Sequence, residues 1–425
     1  MPRPLLCLSH LRWDFVYQRP NHLMARAARR FDVLFVEEPV RDEGPLRLEC
    51  TPVDGLTVVR PHVPAGEPAD AQVARLLRDL LDERRTDDPV LWYYTPMALP
   101  WTDGIRPGAV VYDCMDELSA FRGAPAGLVA LEAELLDRAD LVFTGGRQLF
   151  EAKRARCARA HCFPSSVDLA HFGRARSPQR DPSDQATIPR PRLGYFGVID
   201  ERIDLDLVAE VARRRAEWQI VLIGPIAKID PGAIPALPNV HHLGPKPYEE
   251  LPAYLAGWDV ALMPFARNEA TRYISPTKTP EYLAGGKAVV STSIRDVVEP
   301  YGRERLVRIA DTGQATIEAI EATLAGDDPT RARRADALIA RQSWDLTWAA
   351  MARLLDGVLE TRRPSAGVAT RSAAAARTVA PHPVAPHRVV PHPEPAYRPS
   401  LAERAALPAR RRPAPSAGAA RARQA

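Results

Sequence analysis

The sequence predicts an α/β protein made of two doubly wound domains in tandem. Three observations lead there. Short apolar runs alternate with amphipathic helical patterns from the first residues onward. The alternation breaks once, at 173–190, and then restarts. The composition, 46% apolar and 26% charged, is that of an ordinary globular protein. At roughly 100–200 residues per domain, a chain of 425 residues holds two such units and an appendage.

In the first unit (1–172), LLCLS (5–9) precedes the helical pattern NHLMARAARRF, and VLFVEEP (33–39) follows. VLWYYTP (90–96), VVYDC (110–114), a helix near 127–139, LVFTGG (141–146), another helix and HCFPSSV (161–167) complete it. Continuous apolar strands with helices between them read as parallel sheet covered on both faces. Residues 173–190 lose periodicity and gather Pro, Ser, Asp and Arg, which reads as a linker. The second unit (191–343) contains RLGYFGVID (192–200), a helix over 204–216, IVLIGP (220–225) and NVHHLGP (239–245). DVALMPF (259–265), a helix ending at Gly285-Gly286, AVVSTS (288–293) and LVRIAD (306–311) follow. A closing helix (344–363) carries the stripe Trp344, Trp348, Met351, Leu355 and Leu359. In such sheets ligands sit at the carboxyl ends of the strands, which puts the site in a cleft between the two units.

The tail, 364–425, has 11 Pro, 10 Arg and only Glu394 and Glu403 as acids, so it carries +8 and the rest of the chain −4. Its composition predicts disorder, with a membrane-surface contact as the alternative for so basic a segment. The mildly acidic body argues against nucleic acid as a partner. Five cysteines without a C-x-x-C pair fit a reducing compartment. No apolar run is long enough for a secretory signal or a membrane span, so a cytoplasmic location, at most peripheral to the membrane's inner face, is expected.

The commonest ligands of doubly wound sheets leave glycine signatures that are missing here. The first turn, SHLRWDFVYQRPNH, has no glycine, and no G-x-x-x-x-G-K-[ST] occurs. A dinucleotide-dependent oxidoreductase and a P-loop ATPase are therefore disfavoured. The most specific segment is RYISPTKTPEYLAGGKAVVST (272–292). Ser275-Pro276 reads as an N-cap with proline at the first helical position, so the helix start offers N–H groups to a diphosphate. From a turn and a half further on, the Glu281 carboxylate can accept hydrogen bonds from both ribose hydroxyls of a nucleotide, and Lys278 adds positive charge. The alternative is a capped surface helix with solvated side chains.

SPTKTPEYLAGGKAVV resembles the donor-binding segment of family 4-type glycosyltransferases of the GT-B fold, two facing Rossmann-like domains. WDFVYQRPNHL, VVYDCMDEL, SSVDLAHF and SWDLTW are similar to segments of a bacterial cell-surface polysaccharide subgroup. The resemblance implies sugar transfer from a UDP- or GDP-sugar to a glycan or lipid-linked acceptor, with retention and without a metal or other cofactor. It implies that Glu281 holds the ribose, that Ser275, Pro276, Thr277 and Lys278 lie beside the diphosphate, and that Leu243 and Gly244 line the base. Arg202 joins Lys278 in stabilising the leaving diphosphate, and Gly197 belongs to the same substrate-binding set. The family's glutamate eight residues before the ribose-binding one is here Tyr273, a departure that favours as an alternative a non-catalytic sugar-nucleotide-binding or scaffolding protein; a nucleotide-sugar epimerase of similar architecture is a third reading.

On the first unit, Trp13, Gln18 and Arg19 crowd the turn after the first strand, a combination suited to sugar stacking and phosphate contact. The alternative is that Trp13 packs on the domain and Arg19 pairs with a local acid. Asp113, Asp116 and Glu117 follow VVYDC, and Asp116 is the candidate to orient or deprotonate the acceptor hydroxyl. Gly145-Gly146 ends another strand and could admit a phosphate.

Overall fold

The computed structural model describes residues 2–362, apart from Glu67 and Asp327. The tail and its expected disorder and membrane contact lie outside the described residues. The first lobe contains β1 (Pro4–Leu8), β2 (Asp32–Val36), β3 (Val40–Asp42), β4 (Arg47–Val53), β5 (Leu56–Pro64), β6 (Val90–Tyr93), β7 (Ala109–Cys114), β8 (Leu141–Thr144) and β9 (Ala160–Cys162). They lie in the order β3-β5-β2-β1-β6-β7-β8-β9, and β4 pairs antiparallel with β5 while the other pairings are parallel.

The second lobe contains β10 (Arg192–Phe196), β11 (Gln219–Ile223), β12 (Val240–His242), β13 (Val260–Met263), β14 (Val289–Ser291) and β15 (Val307–Ile309), all parallel, in the order β12-β11-β10-β13-β14-β15. This is the doubly wound order, and its direction reverses between β10 and β13. In the first sheet the reversal lies between β1 and β6.

The central strands are buried on both faces. β7, β8, β10 and β13 have no exposed residue, as parallel strands under two helical layers require. Helix termini follow side-chain chemistry. Asp204 caps the helix Leu205–Arg214 by accepting the Leu207 N–H at 2.8 Å, with Arg213 and Arg214 in the last turn, where the dipole favours cations.

Segment 173–190 connects the lobes while packed on the second. Gln185 is fully buried and accepts from the Trp258 indole at 2.9 Å, and the Arg176 guanidinium bonds the Ala284 and Leu283 carbonyls. The final helix, Trp344–Thr361, returns to the first lobe, where Trp344, Met351 and Leu355 join a core with Leu23, Met24, Trp92 and Phe143. The apolar stripe read from sequence is thus the seam that ties this helix to the first lobe.

Candidate functional site

The carboxyl edges of the two sheets face each other and are joined at several points. Tyr17 of the first lobe stacks on Tyr248 of the second, with ring centroids 4.5 Å apart. Phe121 lies against two second-lobe cations, 5.5 Å from the Arg202 guanidinium and 4.7 Å from the Lys228 ammonium. The Arg122 N–H donates to Glu201 at 3.0 Å. Tyr273 packs on the first lobe's core, and Glu269 is exposed in an ion pair with Arg272.

At the second sheet's switch point the glycine after β10 lets a lysine approach its backbone. Gly197 has φ +142°, and a Cβ placed there would lie 2.6 Å from Lys278 Cε and 3.1 Å from Nζ. Only glycine tolerates both that conformation and that neighbour. Lys278 begins the helix Lys278–Ala284, and Glu281, 6% exposed, lies in its first turn. Burial pulls the Lys278 ammonium below its ordinary pKa, the Glu281 carboxylate opposes that shift, and Arg202 adds to it. Arg202 clamps Asp200 with Nε at 2.9 and 3.0 Å from the two carboxylate oxygens and Nη2 at 2.7 Å from one of them. Asp116 reaches this cluster from the first lobe. Burial raises its pKa, and Arg202 and Lys278 pull it back.

Burial also pushes Glu281 up to about 7 against the pull of Lys278. With the folded pKa above the unfolded one, the folded protein retains a proton that the unfolded chain releases. Stability therefore falls as pH rises from about 4.5 to about 7. Glu281→Gln, which cannot ionise, is expected to gain about 3–4 kcal/mol over the wild type at pH 8, at ~1.4 kcal/mol per unit, and far less at pH 4. Denaturation at both pH values checks this. An equal difference at the two would contradict it.

The helix start differs from the reading of Ser275 as its cap. The helix begins at Lys278, preceded by Thr277 in helical conformation and without a side-chain cap. Pro280 is its third residue, a position whose N–H has no partner in a helix anyway. The Thr279 N–H already donates to the Pro276 carbonyl at 3.3 Å. The two-turn helix therefore presents few amides, and the positive charge comes chiefly from Lys278 and Arg202. The Ser275 hydroxyl turns to Asp296, whose carboxylate accepts the Arg147 N–H at 2.9 Å and caps the first-lobe helix Arg147–Arg154. A Cβ on Gly146 would lie 2.7 Å from that carboxylate. The glycine admits Asp296, in the place offered to a phosphate. Leu243 packs on the second lobe's core, and the Gly244 carbonyl accepts the Gly224 N–H at 2.9 Å, just beyond β12.

Trp13 and Arg19 depart from the ligand-binding reading. Trp13 is buried edge-on against Phe35 at 5.0 Å, and its N–H donates to Glu37. Arg19, 3% exposed, pairs with Asp113 through Nε at 3.0 and 3.2 Å and Nη2 at 2.8 Å, and bonds the Phe163 carbonyl. Gln18 stands at the N-cap of the helix Arg19–Ala27, its N–H donating to Asn21 at 3.0 Å. Asp113 is thereby committed to Arg19, and Glu117 to Lys153 at 2.7 Å, which leaves Asp116 as the carboxylate facing the cleft.

The structure thus brings together Lys278, Glu281, Gly197, Arg202 and Asp116. It adds His10, Phe121, Lys228 and Tyr248, of which His10 and Lys228 follow predicted strands and were findable by that rule alone. Among the described residues no helix is long and apolar enough to cross a membrane. A cavity of about 640 Å³ near Arg305, Arg308 and Arg334 lies at the other end of the second sheet, apart from this cleft.

Residues 190–326 match the model of a family described as glycosyl transferases group 1. A putative teichuronic acid biosynthesis glycosyltransferase, TuaH of Bacillus subtilis, is 25% identical over 224 residues, which are 48% of this chain and 55% of the relative. The chain thus spans little more than half the length of that curated relative. Sucrose-phosphate synthase from Thermosynechococcus elongatus superposes with a TM-score of 0.64 at 15% identity, over 84% of this chain and 100% of the other. HepE of Anabaena in complex with UDP and glucose gives 0.57 at 14%, over 83% and 99%. The likeness establishes the fold as GT-B, two facing Rossmann-like domains.

Proposed function

We propose, from the match of residues 190–326 to the group 1 glycosyl transferases, that the chain moves a sugar from a nucleoside diphosphate donor to a hydroxyl of a glycan or lipid-linked acceptor. One observation carries the reading. Lys278, Arg202 and the buried Glu281 converge beside Gly197 at the second sheet's switch point, opposite Asp116 of the other lobe. Open α/β sheets bind ligands at such points. The UDP held by HepE favours uridine as the base.

Lys278 and Arg202 face the diphosphate, and Glu281, once ionised, accepts hydrogen bonds from the ribose. With retention of configuration and no metal, the bond from the anomeric carbon to the diphosphate oxygen breaks as the acceptor oxygen bonds to the same face. The acceptor's proton passes to the departing phosphate. The chain's own contribution is positioning, together with cations that stabilise the growing diphosphate charge. Asp116 orients the acceptor hydroxyl.

Because burial pushes Glu281 up to about 7, UDP affinity is expected to fall more steeply in the wild type than in Glu281→Gln as pH drops from 8 to 6, a range in which the terminal phosphate of UDP, with a second pKa of about 6, titrates in both. Glu281→Ala weakens UDP by roughly tenfold or more, as the loss of hydrogen bonds to a charged group implies. Calorimetry checks both, and an unchanged affinity in Glu281→Ala would refute the ribose assignment. The docking of Tyr273 on the first lobe, where the family has a glutamate, favours as a second reading a protein that binds the sugar nucleotide without transferring it. UDP binding with neither transfer nor donor hydrolysis would select that reading.

A further inference from the structure

Beside the donor cluster, at the first lobe's own switch point, the cleft holds polar side chains whose capacity the protein leaves unused. His10 follows β1, where the first sheet's order reverses, and its Nδ1 is buried without a hydrogen-bond partner. Asp116 follows β7 and feels Arg202, Asp200, Lys278 and Lys228 through space. Lys228, from the loop after β11, adopts the left-handed φ of +59° and lays its ammonium over Phe121 of the opposite lobe. The same ammonium acts electrostatically on His10 and Asp116, so the three groups share one space. Buried polar atoms are normally paired, and strained non-glycine residues cluster where ligands bind. With β6 between β1 and β7, a strand spacing of about 4.8 Å separates the ends of the strands that precede His10 and Asp116 by roughly 10 Å, a span on the scale of one sugar ring.

We propose that His10, Asp116 and Lys228 form the subsite for a neutral sugar unit bearing the accepting hydroxyl, with His10 as a positioning residue. The assignment rests on the transferase reading above. Charge selects the class of ligand. Asp116 and Lys228 offset each other, and His10 is uncharged at neutral pH because burial, aided by Lys228, lowers its pKa to about 4. The three groups carry no net charge between them, and the neighbouring Arg202 and Lys278, which also act on Asp116, are assigned to the donor's diphosphate. The subsite does combine acceptors and donors as hydroxyls require: the Tyr94 backbone engages the His10 ring, and Nδ1 is left for a hydroxyl.

The test follows the His10 ring nitrogens by NMR in full-length protein labelled with 15N-histidine, with and without UDP. Glucose, galactose, mannose, N-acetylglucosamine and glucose 6-phosphate are titrated in turn. At least one neutral sugar is expected to shift the His10 resonance saturably and to bind more tightly than glucose 6-phosphate. His10→Ala and Lys228→Met each weaken that sugar roughly tenfold, His10→Gln recovers part of the loss, and UDP affinity of His10→Ala stays within about twofold of wild type. The proposal is overturned if no sugar of the panel moves the resonance, if His10→Ala binds the sugar as wild type does, or if the phosphate binds more tightly. Sugar binding without UDP binding would refute the donor reading alone. UDP binding without any sugar response would refute only the subsite.

Discussion

Replacing Lys278 with alanine is expected to lower kcat by one to three orders of magnitude, because the proposed function places its ammonium where the donor's diphosphate charge would develop. Cations aimed at a leaving group in a water-poor cleft are worth about 2–4 kcal/mol in the transition state. The geometry behind this is specific: Lys278 is pressed against the bare Cα of Gly197, and the carboxylates of Glu281, Asp200 and Asp116 act on it through space rather than by direct pairing. Arg202 is already clamped on Asp200 and so contributes less net charge. Steady-state kinetics with a UDP-sugar donor measures the effect, and an unchanged kcat would remove Lys278 from the mechanism.

Asp113→Ala is expected to destabilise the first lobe by about 3–5 kcal/mol, the cost of leaving a buried guanidinium without its partner. Asp113 is fully buried and Arg19 is 3% exposed, so water cannot replace the lost carboxylate. Arg19 also ties β7 to the Phe163 carbonyl, next to the strand that ends the first sheet. Urea denaturation measures the loss. A change below about 1 kcal/mol would show that Arg19 finds another partner or reaches solvent.

Much of the architecture was legible because parallel strands buried on both faces appear as short apolar blocks, and twelve such blocks each became a strand. β3, β4 and β5 escaped for a physical reason. β4 is largely exposed, and Pro52 and Pro61 interrupt the two longer runs, so no apolar block forms. The signal that was there is the turn. Asp54 and Gly55 have φ of 50° and 82°, the left-handed pair that Asp-Gly adopts between antiparallel strands. The placement of Lys278 and Glu281 was legible for a similar reason. Lys278 and Glu281 lie on one short helix whose sequence alone places them together, and Glu281 is buried rather than turned to solvent.

The first-lobe side was harder to read because its residue types have two uses. An arginine and a tryptophan after a strand suit a ligand, but whether they turn inward depends on partners far away in sequence. Asp113 lies 94 residues from Arg19. The partner of Gly146 was equally hidden, since Asp296 is 149 residues beyond Arg147 and belongs to the other lobe. His10 and Lys228 carry no motif at all. Only the fold, by bringing two strand ends from different lobes into one cleft, makes them neighbours.

A crystal structure of the full chain soaked with UDP tests the central claim most directly. The account predicts density for the diphosphate against Lys278 and Arg202, and for the ribose hydroxyls within hydrogen-bond reach of Glu281. UDP bound elsewhere, such as in the arginine-rimmed cavity beside β15, with Lys278 and Glu281 untouched, would contradict it.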